Sequence, residues 1–196
     1  MAWYLLKTWV GKEEELAREF RSTVPSHMYQ ECFVIYQERI WRKQQRSVVH
    51  VEPLLPGCVF LTCEETNPFT KTISFYDKLR KVPFVSRLMI NGNLTILPVM
   101  RQDEEFLYRI SGRKHLVELS YVTKDEDGQI CKISDPLKTC REQIVRVQLK
   151  KRYAMVRHRL WGEDQAIVLG IMLKEDANQK ILYGNGEEGS FSNEKL

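Results

Sequence analysis

From Lys132 to Arg159 the chain carries nine basic residues, Lys132, Lys138, Arg141, Arg146, Lys150, Lys151, Arg152, Arg157 and Arg159, opposed only by Asp135 and Glu142. Solvated protein faces ordinarily mix signs, so a segment this one-sided creates a potential suited to phosphates. Tyr153 and Trp161 stand inside or just beyond it and offer flat rings on which nucleobases stack. The first 119 residues are nearly balanced, with 17 basic against 14 acidic side chains. The small net charge of +4 therefore hides where the positive charge is kept.

Catalytic chemistry finds less to work with. A nucleophile needs a base and an orienting group converging on it, and His27, His50, His115 and His158 show no spacing that pairs two of them on one face with a carboxylate. Neither glycine-rich phosphate loop occurs, and Gly184, Gly186 and Gly189 read as flexibility rather than as a cradle. Cys58 follows Gly57 in an apolar run with no cation beside it in sequence, where burial raises a thiol's pKa and lowers its reactivity. Cys32, Cys58, Cys63, Cys131 and Cys140 are odd in number and form no C-x-x-C pair, which argues against a disulfide framework and against structural zinc. No catalytic residue, metal or cofactor is expected, and the reducing interior of a cell fits the cysteine usage.

A second feature is apolar. Trp3, Tyr4, Trp9, Leu54, Leu55, Pro56 and Gly57 form a set more hydrophobic than strand ends of a small domain need. Trp3 and Tyr4 read as core. Leu54-Leu55-Pro56-Gly57 lies at a strand entrance, where an exposed apolar patch signals a protein partner.

The elements that must position these residues follow from periodicity. Trp3–Thr8 reads as a strand, and the residues from Lys12 as a helix ending before Pro25, with Glu13, Glu14 and Glu15 where a helix dipole favours anions. The stretch 32–42 and the β-branched Ser47–Val51 read as a long hairpin with a basic tip, Arg42–Arg46. Cys58–Thr62 reads as a central strand, and a second helix is expected from Asn67-Pro68. Val85–Ile90 is a strand, Asn91-Gly92 a tight turn into Leu94–Leu97, and Gln102–Ser111 a third helix. That order describes an α+β fold, a mixed or antiparallel sheet with helices packed on it.

Beyond it the pattern is strands only. Ile130–Ile133, Gln143–Leu149, Tyr153–Leu160 and Gln165–Leu173 make a small β-barrel, in which Val145, Val147 and Leu149 point inward and Arg146, Gln148 and Lys150 outward. The expected division is a domain over 1–111, a linker over 112–125, a second domain over 126–178 and a flexible tail over 179–196. The longest uncharged run, Leu88–Met100, is 13 residues against the roughly 18 a bilayer crossing needs, so no membrane role is expected. Ala2–Leu6 is too short for a secretory signal, and a cytoplasmic location is expected.

Short motifs in this order resemble the NusG family of transcription elongation factors over residues 3–173. Trp3-Tyr4 with Thr8-Trp9 and Gly11 looks like the family's opening strand, Pro56-Gly57 with Val59-Phe60-Leu61 like its most recognisable strand, and Val82-Pro83-Phe84-Val85 like the segment after its second helix. Asp135-Pro136-Leu137-Lys138, Gln143-Ile144-Val145, Lys151-Arg152 and Val168-Leu169-Gly170-Ile171 resemble a KOW domain, an SH3-like barrel. The pattern is most similar to the specialised LoaP paralogues, antiterminators of bacterial gene clusters whose KOW domain is implicated in recognising an RNA hairpin. It departs from the wider family at Leu54, Leu55 and Cys58, where aromatics are usual, and at Asp135, Thr139 and Glu142, where the KOW signature has glycines.

The resemblance implies a monomeric, non-enzymatic bacterial factor. Its N-terminal domain docks on RNA polymerase through Trp9, Leu54, Leu55, Pro56 and Gly57, and its KOW domain binds a nascent RNA hairpin through Lys138, Arg141, Arg146, Lys150, Lys151, Arg152, Tyr153 and Arg157. A contact with nontemplate DNA is left open. Two alternatives stand beside it: a general factor whose KOW domain holds Rho or a ribosomal protein, and an unrelated ribosome-associated KOW protein that binds RNA.

Overall fold

A computed structural model of the chain describes residues 2–43, 46–64, 96–177, 181–183 and 188–189. The expected second helix, the strand Val85–Ile90, the Asn91-Gly92 turn and the Val82-Pro83-Phe84-Val85 motif lie outside these residues. The chain folds as α+β and forms two compact units, Met1–Ile35 with Leu55–Glu105, and Tyr36–Leu54 with Phe106–Leu196.

The first unit is built on strand β1 (Ala2–Lys7) and helix α1 (Glu13–Thr23), followed by β2 (Glu31–Phe33), β5 (Cys58–Cys63) and β6 (Ile96–Pro98). Its antiparallel sheet runs β2-β5-β1-β6, so β5 is an inner strand, and all six of its residues are buried. Trp3 is core, edge-on to Phe33 at 5.2 Å and to Phe60 at 5.9 Å. On α1, Leu16, Ala17 and Phe20 are buried, and the helix lies against β2 and β5. It stops where Val24 turns extended, the conformation a following proline requires.

The second unit holds the hairpin of β3 (Tyr36–Lys43) and β4 (Arg46–Pro53), in register from Tyr36↔Pro53 to Lys43↔Arg46. Helix α2 (Arg101–Ser111) enters the unit at Phe106. Strands β7 (Leu116–Val117), β8 (Ser120–Lys124), β9 (Ile130–Ile133), β10 (Ile144–Gln148), β11 (Tyr153–Leu160) and β12 (Glu163–Leu173) follow. Then come the turn of helix α3 (Lys174–Ala177) and the short strands β13 (Ile181–Tyr183) and β14 (Glu188–Gly189). One sheet runs β10-β11-β12-β8-β9 and curls in the manner of an SH3-like domain; the other runs β14-β13-β4-β3-β7. Ile40, Val49, Leu119 and Met172 make a shared core between β3–β4 and the curled sheet, with Tyr121 packed against it. A Cβ at Gly170 would collide with the Glu38 carbonyl and with Leu119, so β3 approaches β12 to backbone distance there.

Three differences from the sequence reading have physical causes. The stretch 112–125 contains β7 and β8: Ser120 is buried because its hydroxyl accepts the Leu137 N–H (2.9 Å), a role its polar side chain conceals in the sequence. The hairpin clusters with the C-terminal half, because its apolar pair Ile40 and Val49 meets Leu119 and Met172. Within 179–196, β13 pairs in parallel with β4 through Leu182↔Val48.

Candidate protein-docking loop and nucleic-acid interface

The loop after β1 and the Pro56-Gly57 turn are fastened together. The Thr8 N–H donates to the Gly57 carbonyl (2.9 Å), and the Gly57 N–H donates to Glu13 Oε1 (2.7 Å). Gly57 has φ +76°, and a Cβ there would lie 2.7 Å from the Thr8 carbonyl oxygen, so the position requires glycine. Glu13 is buried, and its carboxylate serves this turn as well as the helix dipole. Trp9 is 54% exposed beside exposed Val10, Pro56 is exposed and Leu55 is partly exposed. Leu54, at 5% exposure, is core and leaves the expected docking set, while Gly57 is buried and shapes the turn.

The basic block is spread over several elements of the curled sheet. Lys138 and Arg141 lie on the short 3-10 segment Leu137–Gln143, Arg146 on β10, Lys150 and Lys151 on the turn Leu149–Lys151, and Arg157 on β11. All six are exposed. Strand alternation puts Tyr153, Met155, Arg157 and Arg159 on one face of β11, opposite buried Ala154, Val156 and Leu160. Cross-strand register sets Arg146 beside Met155 and Gln148 beside Tyr153, so Arg146, Tyr153 and Arg157 share that face.

Two expectations for this block are corrected. Arg152 is only 5% exposed: it has positive φ, its Nη2 donates to Asp176 Oδ1 (2.7 Å), its Nε forms a 2.5 Å ion pair with Oδ2, and its Nη1 is turned to the Leu149 carbonyl. It pins the basic turn from beneath and offers no phosphate contact. Val145, expected inside the barrel, is 50% exposed, because the register slips between Ile144 and Arg146 and leaves Val145 as a bulge. Tyr153 is partly buried, with the Arg39 guanidinium 5.8 Å above its ring centroid.

The buried thiols are poor nucleophiles. Burial pushes Cys32 up to about 12 against the lowering influence of Arg21, Cys63 up to about 11, and Cys140 upward as well. Cys58 does have a cation nearby, Lys7 Nζ at 3.2 Å, which the sequence reading missed because the two meet only across β1 and β5; desolvation still dominates and raises the thiol. His158 is stacked flat on Phe106 at 3.7 Å, with Gln143 Nε2 3.1 Å from its Nδ1. An open cleft of about 520 Å³ at the end of α2 mixes Arg109, Arg113 and Lys114 with Glu118 and Asp135. Among the described residues no group of three or more His, Cys, Asp or Glu could hold a metal ion, and no helix is long and apolar enough to cross a membrane.

A profile of the family described as transcription termination factor NusG matches residues 1–106, just over half of the chain. The chain belongs to the NusG family. NusG proteins are non-enzymatic transcription factors that interact with RNA polymerase, and the loop after β1 and the Pro56-Gly57 turn lie within the matched region. No curated protein sequence matches. A solved structure titled "Domain interaction in Thermotoga maritima NusG" is similar to this chain at 17% identity, covering 86% of this chain and 93% of that chain, with a TM-score of 0.45.

Proposed function

We propose that this NusG-family factor is a processive antiterminator of the LoaP kind, whose N-terminal domain holds RNA polymerase in its elongating state while the C-terminal barrel holds a hairpin of the nascent RNA in the bacterial cytoplasm. A ligand that binds one of two conformations better shifts the population toward it, and docking on the elongating polymerase does so against pausing and termination. The docking residues are Trp9, Leu55 and Pro56, on the turn that Gly57 shapes. The RNA contacts are Lys138, Arg141, Arg146, Lys150, Lys151 and Arg157, with Tyr153 as a stacking ring. The factor works as a monomer.

The observation that carries this reading is the exposed basic face formed by Arg146 and Arg157 on paired strands next to the Lys150-Lys151 turn. A protein partner such as Rho or a ribosomal protein does not require that concentration of positive charge. If four to six of these cations neutralise phosphates, log K falls with log salt at a slope of about −3 to −5. The test is a titration of the full chain with a stem-loop RNA and with an unstructured strand of equal length. A steep salt dependence and a preference for the stem-loop support the reading. Equal affinity for both at about 150 mM salt leaves a nonspecific basic face and favours the general factor. Retrieval of polymerase from a lysate separates both from an unrelated ribosome-associated protein.

A further inference from the structure

The β3–β4 hairpin carries a second aromatic and cationic surface outside the basic block. Trp41 is 57% exposed, the exposure expected of a binding ring rather than a core residue, and its ring lies 4.5 Å from that of His50. Register places the rungs Trp41↔Val48 and Arg39↔His50 in succession on that face of the hairpin. Arg39 thus stands on the rung next to the tryptophan. Glu52 is the acidic residue in the network, and it orients its neighbours: Oε1 accepts from Arg39 Nη1 (3.3 Å) and Oε2 lies 3.2 Å from His50 Nε2. Arg39 in turn lies over the Tyr153 ring, and Tyr153 follows the Lys150-Lys151 turn. A path of stacking rings and cations therefore runs from the barrel to the hairpin: Lys151, Tyr153, Arg39, His50, Trp41.

We infer that the Trp41 face binds unpaired RNA flanking the stem-loop held by the barrel. The inference rests on the RNA-binding reading above and adds a second contact to it. Aromatic rings interleaved with cations suit single strands, because every base has a face that can stack while the phosphates meet the positive charges. A protein partner fits this surface less well, since the cores of protein interfaces are depleted in charge. Continuity with Tyr153 and the basic turn assigns the strand to RNA rather than to DNA.

The experiment compares three probes on the full chain: a stem-loop RNA, the same stem-loop with a single-stranded oligouridine extension of about six nucleotides, and the stem-loop with an oligothymidine extension of the same length, a span within the usual footprint of single-strand binders. The expected result is that the RNA extension tightens binding roughly tenfold, that Trp41→Ala removes this gain without weakening the bare stem-loop, and that Trp41→Phe keeps most of it. Trp41 is exposed, so circular dichroism should be unchanged in both variants. An extension that adds nothing, or a gain that survives Trp41→Ala, overturns the inference while RNA binding by the barrel stands. An oligothymidine extension that equals or exceeds the RNA overturns the choice of RNA. Failure of every probe to bind overturns the RNA-binding reading itself.

Discussion

Replacing Gly57 by alanine tests whether the docking loop is held as described. The residue sits at φ +76°, where an L-residue pays roughly 1–2 kcal/mol for the left-handed conformation. Its new methyl would begin 2.7 Å from the Thr8 carbonyl oxygen, which is backbone and cannot rotate away. Relief requires the Pro56-Gly57 turn to retreat from the β1 loop, and two hydrogen bonds oppose that motion: Thr8 N–H to the Gly57 carbonyl, and Gly57 N–H to the buried Glu13 carboxylate. Weakening the bond to a buried charged acceptor costs about 1.5–3 kcal/mol, which brings the expected total to about 3–5 kcal/mol. Gly11 supplies the control, because it has φ +83° but no atom within 4 Å of an added Cβ. Gly11→Ala should therefore show the conformational cost alone, about 1–2 kcal/mol. Urea unfolding followed by tryptophan fluorescence would measure both. A Gly57→Ala variant that loses no more stability than Gly11→Ala would refute the argument, because the contact and the Glu13 bond would then carry no energy.

Asp176→Ala leaves the Arg152 guanidinium buried without its carboxylate, so thermal and urea melts should show a loss of about 3–5 kcal/mol; replacing both partners by apolar residues should recover much of it, and a single-variant loss below about 1 kcal/mol would contradict the buried pair. Leu55→Glu puts a charge on the partly exposed docking loop and should abolish polymerase retrieval from a lysate while melting stays near that of the unmodified protein; unfolding would assign Leu55 to the core. For the buried thiols, Cys32 and Cys63 have folded pKa values near 12 and 11 against 9.0 for the free group, so their contribution is whole below pH 9 and is lost as pH rises toward those values. Stability should fall with pH above 9, by about 1.4 kcal/mol per unit for each thiol, and Cys32→Ala should make that alkaline slope shallower; an unaltered slope would contradict the burial.

The legible parts of the fold were those whose signal is local. The strand Tyr153–Leu160 was read with the bounds it has, because period two survives wherever a strand is regular. The same rule failed on β10, where the bulge at Val145 adds a residue that no spacing pattern announces. Arg152 looked like its neighbours Lys150 and Lys151 because its partner, Asp176, is 24 residues away. Glu13 was read for the helix dipole, yet it also accepts from Gly57 across 44 residues. Trp41 was assigned to a hairpin on its β propensity alone. Its exposure became visible only when Ile40 and Val49 were seen to take the opposite face into the core.

The strand order of the first unit has a consequence for how the chain is made. Strand β1 occupies an inner position, but it is synthesised first; its partner β5 begins at Cys58 and its other neighbour β6 ends at Pro98. Translation at about 5–20 residues per second leaves the nascent β1 with both hydrogen-bonding edges open for roughly 3–11 s until β5 is made, and with one edge open for roughly 5–20 s until β6 is made. Its apolar Leu5 and Leu6 have no sheet to enter during that interval. The sheet therefore cannot close hairpin by hairpin, and nascent chains stalled before Pro98 should be the ones most readily bound by chaperones or cut by proteases.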